Sequence, residues 1–446
     1  MGWARLAAGC PLLHSDSMKL PAAALLLIAT SLIAQDASQT TPHRQATRTM
    51  TTASYAPDFF IDTHADTTQR MLDEHYDLAE PLNGGHVNFE AAKQGKLGAE
   101  FFSIWVEPQF YQGRYARRTL ELIDAVHQAA LKHPDKMMMA YSVADIERAH
   151  REHKLAALMG IEGGHSIENS FGLLRDYYRL GVRYMTLTWS NSNDWADSSG
   201  DYTDPTVHHT EEGLTEFGKD VVYEMNRLGM MVDISHVADK TFYRTLILTR
   251  APVIASHSSA RALTNHPRNM TDDMLRALAV NGGVVQANFF SAFVSEDWRN
   301  AWEAQKPERE AAEKAAEEKA KAEGKPWVYG QEEAMDHEFA AKIPRPPLSA
   351  LIDHIDHMVN VAGIDHVGIG SDFDGIPSAP EGIDSAADLP KITAALKARG
   401  YSEADCRKIM SGNLLRVFAQ VEKVSKQLQA QEKGRPKIMD TQPFHK

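Results

Sequence analysis

The sequence predicts a closed (β/α)8 barrel of the TIM type, and three observations carry that prediction. Eight short apolar runs recur along the chain, alternating with helical patterns. The runs are apolar nearly throughout, as expected of strands buried on both faces of a parallel sheet. Most of them end in His, Asp or Glu, and a closed barrel aims all its strand ends at one small volume. A doubly wound open sheet is the alternative. It prefers a Gly-rich phosphate loop after its first strand, and residues 63–69 (THADTTQ) contain no glycine.

The first predicted strand is FFIDTHAD at 59–66 and the second is GAEFFSIWV at 98–106. The helical pattern RRTLELIDAVHQAALKH (117–133) leads toward the third, LAALMGIEGG at 155–164. VRYMTLTW (182–189) is the fourth, and the helix LTEFGKDVVYEMNRLG (214–229) follows it. The fifth to seventh strands are MMVDISH (230–236), PVIASHS (252–258) and GGVVQANFF (282–290). SALIDHIDHMVNV (349–361) forms the helix before the eighth strand, HVGIGSDFDG at 366–375. Residues 402–421 form the last packed helix, with Ser402 as N-cap. Beyond Glu422 the chain turns polar, so 423–446 are expected to form a fraying tail around a barrel domain of 58–422.

Residues 299–345 break the rhythm. Their stretch EAQKPEREAAEKAAEEKAKAEGK consists mainly of strong helix formers with i,i+4 charge pairs and almost no apolar stripe. It reads as an exposed helical insertion between strands seven and eight. Loops after barrel strands sit on the active-site face, so a lid, a partner surface and a solvated decoration are the options.

Ahead of the barrel, Lys19 precedes the apolar run LPAAALLLIATSLIA (20–34), which stops before Gln35 and Asp36. A basic start, an apolar middle and a small-residue exit at Ala34 predict an export signal. Met18 is then the start and 1–17 an upstream extension. The expectation is a periplasmic or secreted protein without a stable membrane anchor, with 35–57 as a flexible leader. Loss of 1–34 would leave Cys406 as the only cysteine, so neither an internal disulfide nor a Cys-rich zinc site is expected. The 446 residues are 43% hydrophobic with a net charge of −13 and no Lys/Arg patch, which argues against nucleic acid as a partner.

The chemistry gathers at the strand ends. His64 and Asp66 end the first, Glu162 the third, His236 the fifth, His257 the sixth and Asp372 the eighth. Taking even one carboxylate out of water costs several kcal/mol or more unless it is paired. No Lys or Arg stands at these ends, so the natural counter-charge is metal. An N/O ligand set without sulfur suits zinc, with manganese, cobalt or iron as alternatives. Two ions bridged by one carboxylate use six such ligands well. His64 and Asp66, two apart on a strand, share a face and hold one ion. His236 and His257 hold the other, Glu162 is the bridge, and Asp372 joins the first ion or takes a proton from water. Paired ions of this kind suit hydrolysis.

These stretches resemble the renal (membrane) dipeptidase family, zinc hydrolases of the amidohydrolase-like barrel group. The resemblance runs from about Phe59 to Ala419 and rests on DTHADT, GIEGGHSI, LGVRYMTLTWSNSNDWADS, GLTEFGKDVVYEMNRLGMMVDISHV, PVIASHSSARALTNHPRNMTDDML, VGIGSDFDGIP and GNLLRVF. It implies two Zn2+ on the six residues above, a dipeptide substrate and a homodimer. It also implies that Arg268, in HPRNM, clamps the substrate's terminal carboxylate, a task that suits a bidentate guanidinium. Asn193 and Phe293 join Arg268 and Trp189 as substrate-binding candidates, while His165 and His266 are assigned structural roles.

The departure is Trp189. The family has a histidine there, in a TLTH stretch, which contacts the scissile carbonyl oxygen. An indole N–H is a single donor that never becomes cationic, and losing an oxyanion donor costs on the order of 10²–10³ in rate. A dipeptidase is therefore the lead reading. An amidase, deacylase or lactonase of the same barrel group is the alternative, and a binding protein with a decayed site is a third. Trp189 reads as an aromatic wall, with the oxyanion left to a zinc ion helped by Asn191 or Asn193.

Overall fold

The computed structural model describes residues 56–432 except Pro326. The expected export signal, residues 35–55 of the leader and the tail from 433 lie outside the described residues. Nine strands form among the described residues: β1 (Phe60–Ala65), β2 (Leu97–Trp105), β3 (Met137–Met139), β4 (Leu155–Glu162), β5 (Val182–Thr186), β6 (Met231–Asp233), β7 (Ile254–Ala255), β8 (Val284–Ala287) and β9 (Val367–Ile369). Eight of them follow the parallel path β1-β2-β4-β5-β6-β7-β8-β9. The ring closes at its C-terminal end, where Asp66 N donates to the Phe373 carbonyl (2.7 Å) and Asp372 N to that of His64 (3.0 Å). The predicted barrel is the observed one.

β3 is an addition to the eight expected strands. It pairs only with the start of β4, outside the ring. Three methionines carry neither the β-branching nor the length that marks a strand in a sequence. A second correction concerns the fourth predicted strand, which ends at Thr186 in β5 rather than at Trp189. Leu187 N still reaches the Asp233 carbonyl (3.3 Å), after which the chain turns into the polar loop.

The ring is filled by apolar and aromatic side chains. Phe101 and Leu158 are fully buried, each stabilising by roughly 1.5–3 kcal/mol. Gly160 makes room for Tyr184, because a Cβ there would sit 1.9 Å from the tyrosine Cζ. Around the ring run the expected helices, among them Tyr115–Lys132, Glu216–Leu228 and Leu348–Ala362. Ser402 caps Glu403–Arg407 by accepting from Asp405 N. A π-helical turn follows, and then the helix Asn413–Gln431. That helix runs past Glu422, where the composition predicts fraying. Val424 and Ser425 are buried, and Ser425 Oγ donates to the Arg227 carbonyl at 2.8 Å.

The insertion is three helices: Glu296–Ala304, Lys306–Ala322 and Tyr329–Ala340. The middle one is solvated as expected, with only Ala320 buried. The outer two are not. Trp298, Trp302, Phe339 and Ala340 pack with Phe293 and Ile343 into a small core of their own. That core anchors the insertion beside the barrel mouth and excludes a purely solvated decoration.

Candidate active site

Six side chains converge at the C-terminal ends of the strands. His64 lies on β1 and Asp66 just after it, while Glu162 ends β4. His236, His257 and Asp372 lie in the turns that follow β6, β7 and β9. Glu162 is central. Its Oε1 is 2.8 Å from His236 Nε2 and 3.3 Å from His257 Nε2. Its Oε2 is 3.4 Å from His64 Nε2. His64 Nε2 is also 3.4 Å from Asp66 Oδ2 and 3.9 Å from Asp372 Oδ1. Three overlapping groups therefore have their ligand atoms within 4.8 Å of one another: His64, Asp66 and Glu162; Glu162, His236 and His257; and His64, His257 and Asp372. One oxygen of Glu162 faces each side, the placement expected of a bridge.

Neighbours hold these side chains in place. Tyr184 OH is 2.7 Å from His64 Nδ1, and Ser256 Oγ is 2.7 Å from His257 Nδ1. Such contacts on the far ring nitrogen leave Nε2 turned toward the cluster. Asn288 Nδ2 donates to Asp372 Oδ2 at 2.8 Å, leaving Oδ1 on the cluster side. His236 and Asp372 both take left-handed backbone conformations, with φ of 65° and 64°. Strain of this kind in non-glycine residues, on the order of 1–3 kcal/mol each, gathers at functional sites.

The electrostatics call for a cation. Burial pushes the Glu162 carboxyl up to about 7 and raises that of Asp372. Burial also depresses His236 and His257 well below the usual imidazole range. His64 Nε2 and Asp66 Oδ1 are buried without any hydrogen-bond partner. The Nε2 atoms of His236 and His257 lie 3.0 Å apart. Converging lone pairs, orphaned acceptors and an N/O donor set fit divalent metal.

Beside the cluster lies a cavity of about 390 Å³. Arg268 lines it and is 7% exposed. Its guanidinium donates to the His257 carbonyl (3.1 Å) and to Ser258 Oγ (3.4 Å), and it lies over the Phe293 ring at 5.4 Å. No carboxylate among the described residues pairs with it, and burial lowers its pKa to about 10. Trp189 also lines the cavity, with ring centroids 4.9 Å from Trp105 and 6.3 Å from His236. No described residue accepts from its indole N–H. Phe293 lines the cavity too.

Asn193 does not. Its Nδ2 donates to the Leu187 carbonyl (2.9 Å), and its Oδ1 accepts from the N–H groups of Trp195 (3.0 Å) and Ala196 (2.9 Å). Every bond it makes folds the loop after β5 and it stands outside the cavity lining, so its assignment to substrate binding is corrected to a structural one. His165 is structural as expected: Nε2 meets the Val106 carbonyl at 2.8 Å and burial lowers its pKa to about 4. His266, also expected to be structural, stands in the cavity wall with its ring 4.5 Å from that of Phe293.

Several cavity residues escape the sequence reading. Trp105 and Glu107, at the end of β2, carry no ligand pattern. Trp302, Arg309, Glu332 and Asp336 come from the insertion. The two tryptophans, Trp298 and Trp302, were the available signal, since large aromatics in an otherwise solvated helical segment need something to pack against.

The chain is similar to several known proteins. The family model described as membrane dipeptidase (peptidase family M19) matches residues 51–432. The dipeptidase tcpJ of Claviceps purpurea (strain 20.1) is 34% identical over 372 residues, covering 82% of this chain and 75% of that protein. Dipeptidase 3 of Homo sapiens is 32% identical over 379 residues, covering 83% of this chain and 67% of that protein. The structure of a metallo peptidase from Rhodobacter sphaeroides, liganded with a phosphinate mimic of the dipeptide L-Ala-D-Ala, superposes with a TM-score of 0.65 at 25% identity. It covers 81% of this chain and 99% of that one.

Proposed function

This chain belongs to the membrane dipeptidase family, peptidase family M19, and we propose how its pocket carries out the family's reaction. The protein is a metal-dependent dipeptidase, a hydrolase of the peptide bond between two residues. The observation that carries the reading is Glu162, with one oxygen toward His64 and the other toward His236 and His257.

The finer assignment is two zinc ions. His64, Asp66 and Glu162 would hold one, and Glu162, His236 and His257 the other, with Asp372 beside the first. Bound there, the ions supply a polarised scissile carbonyl and water that ionises near neutral pH. The protein's own groups do the rest. Arg268, buried and lacking a carboxylate partner, takes the substrate's terminal carboxylate and so fixes the scissile bond over the cluster. Asp372 accepts a proton at Oδ1 and returns it to the departing amine, while Asn288 steadies Oδ2. Trp189 and Trp105 wall the cavity, and Phe293 backs the Arg268 guanidinium. The phosphinate mimic bound by the related structure supports acceptance of a D-residue at the C-terminal position.

The test is turnover of a dipeptide panel, with and without a C-terminal D-residue, by protein loaded with zinc. Absence of turnover throughout the panel sinks the reading, and faster cleavage of N-acyl amino acids or lactones redirects it. Two accompanying proposals rest on sequence. The apolar run 20–34 behind Lys19 supports export to the periplasm or beyond, which the N-terminus of the mature protein checks. Family resemblance supports a homodimer, which light scattering checks. Among the described residues no helix is long and apolar enough to cross a membrane.

A further inference from the structure

We propose that the insertion is the substrate-selecting wall of the active site, and that Glu332, Asp336 and Glu107 make the outer part of the cavity a subsite for a positively charged substrate side chain. This deepens the dipeptidase reading and rests on it.

One cavity joins the two regions. It is lined by Asp66, Glu162 and Asp372 of the metal-ligand cluster and also by Trp302, Glu332 and Asp336 of the insertion. A substrate held at the cluster therefore has the insertion as its outer boundary. The insertion is built to hold position there. Phe339 and Ala340 of its third helix are buried, in one cluster with Trp298 and Trp302 of its first. Glu332 and Asp336 are four apart on that third helix and so share a face.

The outer charges do not balance. Three carboxylates, Glu107, Glu332 and Asp336, face one guanidinium, Arg309. Arg309 is already committed: it lies 3.7 Å over the Trp302 ring and 3.5 Å from Asp336. Glu107 is fixed by accepting the N–H of Phe110 at 2.6 Å, a neutral donor that leaves its charge uncompensated. Glu332 has no hydrogen bond or ion pair among the described residues. Its burial, together with Glu313, Asp336 and Glu107 nearby, pushes its carboxyl up to about 7, as befits a group lacking a counter-charge. When both are ionised, Glu107 and Glu332 exceed the single α-amino charge that every dipeptide brings, and a second cation beside them favours that ionised state. A lysine or arginine side chain supplies the second cation, and Trp105 in the cavity wall suits its aliphatic stem.

The test is kcat/KM of the zinc-loaded full chain on Ala-Ala, on Lys-Ala and Ala-Lys, and on Glu-Ala and Ala-Glu. The better lysine dipeptide should exceed Ala-Ala by about tenfold, the scale of one charged hydrogen bond, and the glutamate dipeptides should fall below Ala-Ala. Glu332→Gln should reduce the lysine-to-alanine ratio at least about threefold, about half of that preference in free energy. Glu318→Gln, an equal charge change at an exposed position of the same insertion, should leave the ratio alone. Taking the ratio cancels any general loss of activity. A wild-type ratio near one, or a ratio that Glu332→Gln does not move, overturns the inference while the dipeptidase reading stands. The second of those results would mean that the carboxylates serve only the α-amino group or nothing. Failure to cleave any of the five dipeptides overturns the dipeptidase reading, and the inference falls with it.

Discussion

Nδ1 of His64 lies 2.7 Å from the hydroxyl of Tyr184, whose proton is committed to the Thr63 carbonyl at 3.0 Å. A hydroxyl has one proton, so it must accept from His64 Nδ1–H. That contact fixes the tautomer and leaves Nε2 as the lone pair facing Glu162, Asp66 and Asp372. Tyr184→Phe should therefore weaken metal binding about 10–100-fold, as loss of such a supporting contact does elsewhere. Competition against a chelator of known affinity measures it. Gly160→Ala should act in the same direction, because its new Cβ would displace the Tyr184 ring.

Removing the metal should abolish turnover and also loosen the fold. The cluster gathers three carboxylates and three imidazoles, which bound metal would hold together. Ligand present at 100 to 1,000 times its dissociation constant stabilises by about 3–4 kcal/mol, so the chelated protein should melt at a clearly lower temperature. Thermal scans with and without added zinc check this, and an unchanged Tm would mean that the cluster holds no ion.

Arg268→Met should lower kcat/KM by about 2–4 kcal/mol on dipeptides with a free carboxylate, since one partner of a buried charged pair is lost. On dipeptide amides the loss should be much smaller. Equal losses on both substrates would show that Arg268 supports the wall rather than clamping the carboxylate.

Trp189→His should raise turnover of simple dipeptides, by about tenfold or more if the new imidazole reaches the oxyanion. The position allows it, because Trp189 lines the cavity beside His236. A drop in turnover together with a higher KM would instead assign the indole to packing against the substrate.

His354 makes stability fall in acid. Burial lowers its pKa to about 4 from 6.5, and its Nδ1 accepts the Ala260 N–H at 3.1 Å, which requires that nitrogen to be unprotonated. Above pH 6.5 the residue is neutral folded or unfolded, and its contribution is complete. Between 6.5 and 4 the unfolded chain takes the proton first, so stability is lost as pH falls, and the loss levels off below 4. Urea unfolding at pH 7 and pH 5 should show His354→Gln losing about 2 kcal/mol less than the wild type between the two, at 1.36 kcal/mol per unit.

Much of the site was legible because its residues sit at strand ends. A parallel strand delivers its last side chain to the mouth of the ring whatever the loop beyond it does, so His64, Asp66, Glu162, His236, His257 and Asp372 could be gathered from the sequence before any coordinates. Asn193 could not be judged the same way. In a loop, a polar side chain can serve a ligand or the backbone equally well, and here Leu187, Trp195 and Ala196 claim it. β3 was invisible because three methionines carry no strand pattern. The helix past Glu422 was misjudged because Val424 and Ser425 are held by contacts distant in sequence.

By itself, then, the sequence determined the barrel and the residue types at its strand ends, because strand periodicity and ring closure are local rules applied eight times, while the departure at Trp189 stands out only against the family the chain resembles. Only the tertiary structure decided that Glu162 turns one oxygen to each side, that Trp189 leans on Trp105, and that the insertion borders the catalytic cavity. Each of these depends on side chains packing across tens or hundreds of residues, and no local pattern specifies which surfaces will meet.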